Sequence, residues 1–257
     1  MPYVPTPFEV VYAMLEVAHV GPGDTVMDLG SGDGRIVIVA AEKYGARGVG
    51  IELKPELVEL SNENASKAGV ADRAQFRRAD LFETDMRGVS VLTMYLLPSV
   101  NLSLRLRILD QLAPGARVVS HSFDMGDWAP DEHLVVGGAD VYFWIVPANA
   151  AGTWRLTVSS ADGAPDASAD VDVQQHFQEV HAEVRGASSV VVRRAELRGD
   201  ELKLELVGFA KDEPLSFTGH VAGRTIVGTL SDGRQARLER LREGRISTER
   251  KQPEARR

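Results

Sequence analysis

The sequence predicts an α/β domain followed by a small all-β domain, and three observations carry that prediction. Up to about residue 150, short apolar runs alternate with segments whose apolar residues recur at helical spacing. Beyond residue 151 the helical period stops, and eight short, mostly alternating segments follow one another between turn sequences. Between the first apolar run and the next helical segment, "DLGSGDGR" places Gly30, Gly32 and Gly34 within five residues. Alternating βα units imply a parallel sheet with helices on both faces. The later pattern implies a sandwich or barrel. The domains are read as 1–150, 151–245 and a polar tail at 246–257, with the boundary in "PANAAG", residues 147–152.

In the first part, "PFEVVYAMLEVAHV" has helical spacing and ends before Gly21, and "DTVMDLG" is a short buried strand. "RIVIVAAEKYG" is a helix closed by Gly45, and "ARGVGIEL" is a strand. "KPELVELSNENASKAGV" is an amphipathic helix with Pro55 near its start and Gly69 near its end. "AQFRRADL" and "SVLTMYLL" follow as strands, then "NLSLRLRILDQL" as a helix with Asn101 as its N-cap, then "ARVVSHSF" as a strand. In the second part the strands are "TWRLTVSS", "ADVDVQQHF", "EVHAEVR", "SSVVVRR", "ELKLELVGF", "LSFTGHV", "RTIVGTL" and "ARLERL". "ADGAPDAS", "RGD", "AGR" and "SDGR" are the turns between them. "GTWRLTV" resembles the opening of lipocalin-like barrels.

Composition narrows the function classes. Of 257 residues, 44% are hydrophobic and 26% charged, as in ordinary globular proteins. No apolar run approaches the roughly 18 residues of a membrane span. The start, "MPYVPTPFEVVYAML", lacks the basic region of a signal peptide, so the cytoplasm is the expected compartment. With no cysteine, disulfides, thiolate catalysis and Cys-ligated zinc are excluded. Residues 1–150 hold 12 Lys/Arg and 20 Asp/Glu, a net charge of −8, whereas residues 151–257 hold 17 of each. The acidic part disfavours nucleic acid and suits a cationic or neutral substrate. Residues 234–257 carry 9 basic and 4 acidic residues, which fits a solvated tail.

The glycine turn narrows the ligand. A glycine-rich turn after a strand lets backbone approach a ligand, and the next helix offers N–H donors. The dinucleotide fingerprint requires G-x-G-x-x-G, but Arg35 stands at its third glycine position, so a nicotinamide cofactor is disfavoured. A carboxylate at the strand tip, Asp28, repels a pyrophosphate and attracts a cation. Glu52, 24 positions further on at the end of the second strand, is placed to accept both hydroxyls of a ribose. Asp80, just past the third strand, could accept from an adenine amino group. S-Adenosylmethionine combines an adenosine, a sulfonium and an amino-acid tail. A cap on the following turn is the alternative for Asp28, and an ordinary loop position is the alternative for Asp80.

"VMDLGSGDGR", "GVGIELKPELV" and "RRADLFE" resemble the first motifs of class I S-adenosylmethionine-dependent methyltransferases, over about residues 24–123. More narrowly, "YVPTP" at 3–7, "DLGSGDGRIVIVAA" at 28–41, "GIELKPELV" at 50–58 and "DWAPDE" at 127–132 are similar to the mitochondrial ATP-synthase c-subunit lysine methyltransferase family and its prokaryotic relatives. That resemblance covers roughly residues 3–147 and implies a Rossmann-like seven-strand core with a proline-containing N-terminal loop over the cofactor. The family's hydrophobic membrane-targeting segment is missing from this sequence, and the β-domain is extra.

The resemblance also implies residue roles. Gly30, Ser31 and Gly32 would pass beneath the methionine moiety, and Asp28 would lie near its ammonium or the ribose. Glu52, with Leu53 beside it, would hold the ribose, while Asp80 and Leu81 would border the adenine. Tyr3 and Thr6 would close the loop over the cofactor. Tyr95 to Pro98, in "TMYLLPSVN", stands where methyltransferases place the acceptor, so Tyr95 and Pro98 are the expected catalytic positions and Tyr95 also borders the cofactor. This chain has Tyr95-Leu-Leu-Pro98 where many amino-methylating relatives carry Asn/Asp-Pro-Pro-Tyr. A half-buried strand aromatic is the alternative for Tyr95.

The expected activity is methyl transfer to a lysine or other amine of a protein or peptide. A small-molecule (O- or N-) or RNA methyltransferase, and a non-catalytic cofactor-binding module, are the alternatives. His121 is the histidine available to serve a hydroxyl acceptor, and a structural histidine is its plainer reading. No metal site is expected: His176 and His181, read on one strand, would face opposite ways. The β-domain is read as a substrate-recognition or homo-oligomerisation module in preference to a ligand carrier.

Overall fold

The computed structural model describes residues 3–159, 165–186, 190–208 and 214–248. Most of the polar tail read at 246–257, and parts of the turn "ADGAPDAS" and the strand "SSVVVRR", lie outside these residues. The chain divides into two compact units, Met1–Val146 and Pro147–Arg257.

In the first unit, helices α1 (Phe8–Val17), α2 (Arg35–Tyr44), α3 (Pro55–Lys67) and α4 (Pro98–Gln111) alternate with strands β1 (Thr25–Leu29), β2 (Arg47–Glu52), β3 (Ala74–Arg78), β4 (Val91–Met94) and β5 (Arg117–His121). Strands β6 (Glu132–Val136) and β7 (Ala139–Ile145) complete one seven-stranded sheet in the order β3-β2-β1-β4-β5-β7-β6. The strand order reverses at the β1/β4 junction. Ligands of open α/β sheets bind at the carboxyl ends of the strands beside such a switch point. Val26, Val91, Val119 and Phe143 from the sheet pack against Val11, Met14 and Leu15 of α1, and Val37, Ile38 and Ala41 of α2 pack with Phe76.

Two expectations are corrected here. The sheet is not wholly parallel, because β7 runs antiparallel to both β5 and β6. The β6–β7 hairpin turns through Gly137 and Gly138, both at positive φ (58° and 82°), as a two-residue turn between right-twisted strands requires. The diglycine in "VVGGAD" was the available signal. Second, α4 begins at Pro98, where the ring fixes a helical φ, with Leu97 as its N-cap. Asn101 is therefore not a cap. It is fully buried within the helix, and its Nδ2 donates to Ser120 Oγ and to the carbonyls of Phe123 and Asp124.

The second unit holds eight antiparallel strands, β8 (Gly152–Ser159), β9 (Pro165–His176), β10 (Glu179–Val184), β11 (Val191–Arg198), β12 (Glu201–Val207), β13 (Leu215–Ala222), β14 (Thr225–Leu230) and β15 (Gln235–Glu243). Their order is β10-β9-β8-β15-β14-β13-β12-β11, and β11 packs back against β10, so the sheet forms a near-barrel. Alternate residues fill its interior, among them Trp154, Leu156, Leu204, Phe217 and Leu238. The buried Arg240 guanidinium lies 4.1 Å from the Trp154 ring centre and donates to the carbonyls of Asn149 and Ala151. His176 and His181 lie on the two strands of the β9–β10 hairpin, the segments "ADVDVQQHF" and "EVHAEVR", so the spacing argument for a single strand does not apply to them. No metal-binding group of His, Cys, Asp and Glu is present among the described residues. No helix among them is long and apolar enough to cross a membrane.

Each unit having its own core, a chain ending after Pro147 should fold alone. Its circular dichroism should show mixed helix and strand with cooperative melting; a disordered spectrum would contradict the division.

Candidate active site

Everything at the switch point is arranged around the turn from β1 into α2. Gly30, Gly32 and Gly34 all have positive φ (79°, 56° and 83°), which side chains rarely adopt. Space is equally restrictive. A Cβ on Gly34 would stand 2.5 Å from the Phe76 ring, and one on Gly32 would stand 2.3 Å from the Tyr3 ring. The neighbouring strand gives way too: a Cβ on Gly50 of β2 would meet Phe76 at 2.4 Å and Ser31 Oγ at 2.5 Å. The turn is fastened to β2 by the Gly30 and Ser31 N–H groups, which both donate to the Ile51 carbonyl.

Three carboxylates surround this turn. Asp28 of β1 is buried, lies beside Thr93 of β4 in register, and accepts from Thr93 Oγ1 at 2.8 Å. Its carboxyl therefore does not cap the following turn. Burial, aided by the charges of Asp33 and Glu52 and opposed by the Thr93 hydrogen bond, pushes its pKa up to about 7. Glu52 bridges two loops: Oε2 accepts from Gly32 N at 3.1 Å, and Oε1 accepts from Leu53 N at 2.8 Å and Lys54 N at 3.0 Å. Asp33 pairs with Arg35 at 2.6 Å. Burial pushes the Asp33 carboxyl up, but the hydrogen bonds and charge of Arg35 outweigh it and hold the carboxyl below its ordinary value.

The N-terminal segment crosses this turn as a strap. Tyr3, Val4 and Pro5 are exposed, whereas Thr6 is buried. Arg35 Nη1 donates to the Thr6 carbonyl at 2.8 Å, and the guanidinium lies 5.0 Å from the Phe8 ring centre. Tyr3 shares a hydrogen bond with Asp33, and burial, then the Asp33 charge, raise its phenol pKa. A cavity of about 30 Å3 lies under the strap, lined by Tyr3, Thr6, Asp28, Gly30, Ser31 and Tyr95 among others. Arg35, read in sequence only as disqualifying a dinucleotide, is thus the anchor of the strap; its place two residues after Asp33 was the signal.

The other expected positions spread along the strand ends. Tyr95, one residue past β4, is half-buried, with its ring 3.9 Å from that of His121 and 6.2 Å from that of Phe123. Pro98 is exposed at the first turn of α4. Leu53 is exposed just past β2. Past β3, Leu81 is half-buried, and Asp80 is exposed and accepts from Phe82 N at 2.8 Å, stiffening its own loop. Phe82, exposed in the same loop, was not singled out from the sequence. His121 is buried, hydrogen-bonded through Nδ1 to Thr6 Oγ1 at 3.1 Å, and burial lowers its pKa. It is thereby engaged structurally, as its plainer reading held.

This arrangement fits an adenosyl cation. Ser31 Oγ is buried with no protein partner, the glycines themselves add no side chain to the turn, and Asp28 and Asp33 line the cavity beside it without a phosphate cradle. Sheet order and site together define a seven-strand, S-adenosylmethionine-dependent methyltransferase. Known proteins agree. The ANTKMT methyltransferase domain family matches residues 28–132. A protein-lysine N-methyltransferase of Saccharolobus islandicus is 41% identical over 151 residues, 57% of this chain and 94% of that protein. The human ATP synthase c-subunit lysine N-methyltransferase is 35% identical over 140 residues, 54% of this chain and 59% of that protein. The crystal structure of an RNA methyltransferase from Salinibacter ruber, in complex with S-adenosyl-L-homocysteine, is 57% identical, covers 55% of this chain and 93% of that chain, and has a TM-score of 0.55. The chain belongs to the ANTKMT-type family of S-adenosylmethionine-dependent methyltransferases. The resemblance drawn from "DLGSGDGRIVIVAA" and "GIELKPELV" is borne out.

The carboxylates give two tests. Glu52→Ala should weaken S-adenosylhomocysteine binding by about 1–3 kcal/mol, read by titration calorimetry; unchanged affinity would remove Glu52 from the site. A carboxyl moving from 3.8 to about 7 on folding favours the native state fully below the unfolded value, and that advantage, about 4 kcal/mol, is lost as pH rises through 7. The ligand-free Asp28→Asn protein should therefore gain on wild type between pH 4 and 8 in urea unfolding; parallel curves would contradict this.

Proposed function

We propose that the chain transfers the methyl group of S-adenosylmethionine to the side-chain amine of a lysine in a protein substrate. What carries this reading is the 41% identity to the Saccharolobus islandicus protein-lysine N-methyltransferase across 94% of that enzyme. Asp28, the glycine turn and Ser31 take the methionine end of the cofactor, Glu52 the ribose, and Leu53, Asp80, Leu81 and Phe82 the adenine. Tyr3 and Thr6 cover it. Tyr95 and Pro98 border the acceptor.

The cofactor supplies an already activated methyl on a cationic sulfur, so the protein's task is alignment and exclusion of water. A lysine near its reference pKa of 10.4 must lose a proton, which costs roughly 4.6 kcal/mol at pH 7. A dry pocket beside a cationic centre lowers that cost. The Leu97 carbonyl is taken by the Val100 and Asn101 N–H groups of α4, which leaves the carbonyls of Tyr95 and Leu96 to orient the amine. A hydroxyl acceptor would need a base, and His121 is engaged with Thr6.

The Salinibacter ruber structure favours a second reading, an RNA acceptor, since that protein is called an RNA methyltransferase. Against it stands the net charge of −8 over residues 1–150, which repels a phosphate backbone. The β-unit, whose interior is filled, is read as a recognition or oligomerisation module, and small-molecule acceptors rank below protein.

Incubating a lysate with methyl-labelled cofactor and separating protein, RNA and small solutes tests this. Label should enter protein and appear as methyl-lysine after acid hydrolysis; label confined to RNA or to solutes would overturn the lysine reading. The rate on the labelled acceptor should rise with pH through the amine titration. A profile levelling near pH 7 would point to histidine-assisted oxygen methylation.

A further inference from the structure

The strap is held very unevenly. Its outer residues, Tyr3 to Pro5, are exposed, and only Thr6 is buried. Thr6 is fixed at two points, its carbonyl by Arg35 and its hydroxyl by His121, a residue 115 positions away in sequence. The cavity beneath is lined by strap and turn residues alike, Tyr3 and Thr6 on one side and Gly30 and Ser31 on the other, so a ligand in it lies against the strap. Tyr3, whose ring lies against Gly32, forms the strap's outer contact with the turn. Thr6 is the natural hinge.

His121 also has a second neighbour. Its ring lies 3.9 Å from that of Tyr95, on the acceptor side of the site. The backbone that presents it is unusual. Ser122 has φ 64°, and the Phe123 N–H donates to the His121 carbonyl at 2.9 Å, which makes Ser122 the centre of a γ-turn. Such turns are strained and persist where surroundings impose them. Here the buried Asn101 donates from α4 to Ser120, Phe123 and Asp124, and Ser120 Oγ donates to the Phe123 carbonyl at 2.6 Å. The turn places His121 and Phe123 on the same Tyr95 ring.

We propose that His121 is a positioning residue which latches the N-terminal strap through Thr6 and, through its contact with Tyr95, links strap closure to the acceptor side of the site. It does no proton transfer in this role. The proposal rests on the cofactor placement of the preceding reading, but its strap half is independent of what the acceptor is.

The test uses the full chain and S-adenosylhomocysteine as the probe. Thr6→Val removes the hydroxyl, and His121→Phe removes the ring nitrogens while keeping a ring for Tyr95. Each should speed dissociation of the probe about three- to ten-fold, as expected for one lost hydrogen bond. The double variant should be no faster than either single one, because both remove the same latch. The initial rate on whichever lysate protein the wild type labels should fall a few-fold in His121→Phe, which loses the latch but keeps a ring for Tyr95, and at least ten-fold in His121→Ala, which loses both. Amide hydrogen exchange at Thr6 and Val4 provides a second readout, faster in both single variants while the β1 and β4 amides stay protected. Unchanged dissociation in both single variants, additive effects in the double, or equal rates for His121→Phe and His121→Ala would each overturn the proposal. Absence of any labelled acceptor would count against the lysine reading and leave the dissociation result to decide the latch.

Discussion

The site depends on one close approach: the Gly30–Gly34 turn lies in contact with β2, β3 and the strap at once. Phe76 of β3 fills the space left by two glycines, Gly34 in the turn and Gly50 in β2, and Tyr3 fills the space over Gly32. A Cβ at Gly34 or Gly50 would collide with the Phe76 ring, and one at Gly32 would displace the Tyr3 ring from the turn whose Gly32 N–H donates to Glu52. Because the carboxylate of Glu52 also binds Leu53 N and Lys54 N, the turn, the end of β2 and the approach to α3 are aligned together. Packing therefore precedes electrostatics here. The acids can serve a ligand because the backbone around them has been fixed.

Those acids are held in different states. Asp33 is matched by Arg35 and is spent on holding the strap. Glu52 is satisfied by three backbone N–H groups at the end of β2. Asp28 has Thr93 and no cation, and burial, aided by the charges of Asp33 and Glu52, disfavours its ionisation. A methyl-donor sulfonium with its ammonium tail is the kind of ligand that relieves this, and its demethylated product relieves it less.

Much of this was legible in the sequence. The βα alternation, the eight later strands and the glycine turn pointed to the two fold types, since periodicity and turn chemistry are local. Asp28 and Glu52 were visible from their places relative to strand ends, and the 3–7 strap from the resemblance carried by "YVPTP". What was hidden is tertiary. Asn101 looked like a cap because Asn favours caps, but Pro98 starts the helix a turn earlier and leaves Asn101 to brace the His121 turn. The β6–β7 hairpin escaped because its strands lack a helix between them. Arg35 was read against a dinucleotide pattern, while its partners Asp33 and Thr6 lie on the turn and the strap. The link between His121 and Thr6 spans most of the first unit, and no local pattern encodes it.

If the switch point is an acidic cradle completed by a cationic cofactor, proton exchange on binding measures that directly. Titrating S-adenosylmethionine into the protein near pH 7, in buffers of differing ionisation enthalpy, should show net release of up to about half a proton as Asp28 ionises, and Asp28→Asn should abolish that release. Equal proton exchange in the two proteins, or none in the wild type, would contradict the acidic cradle.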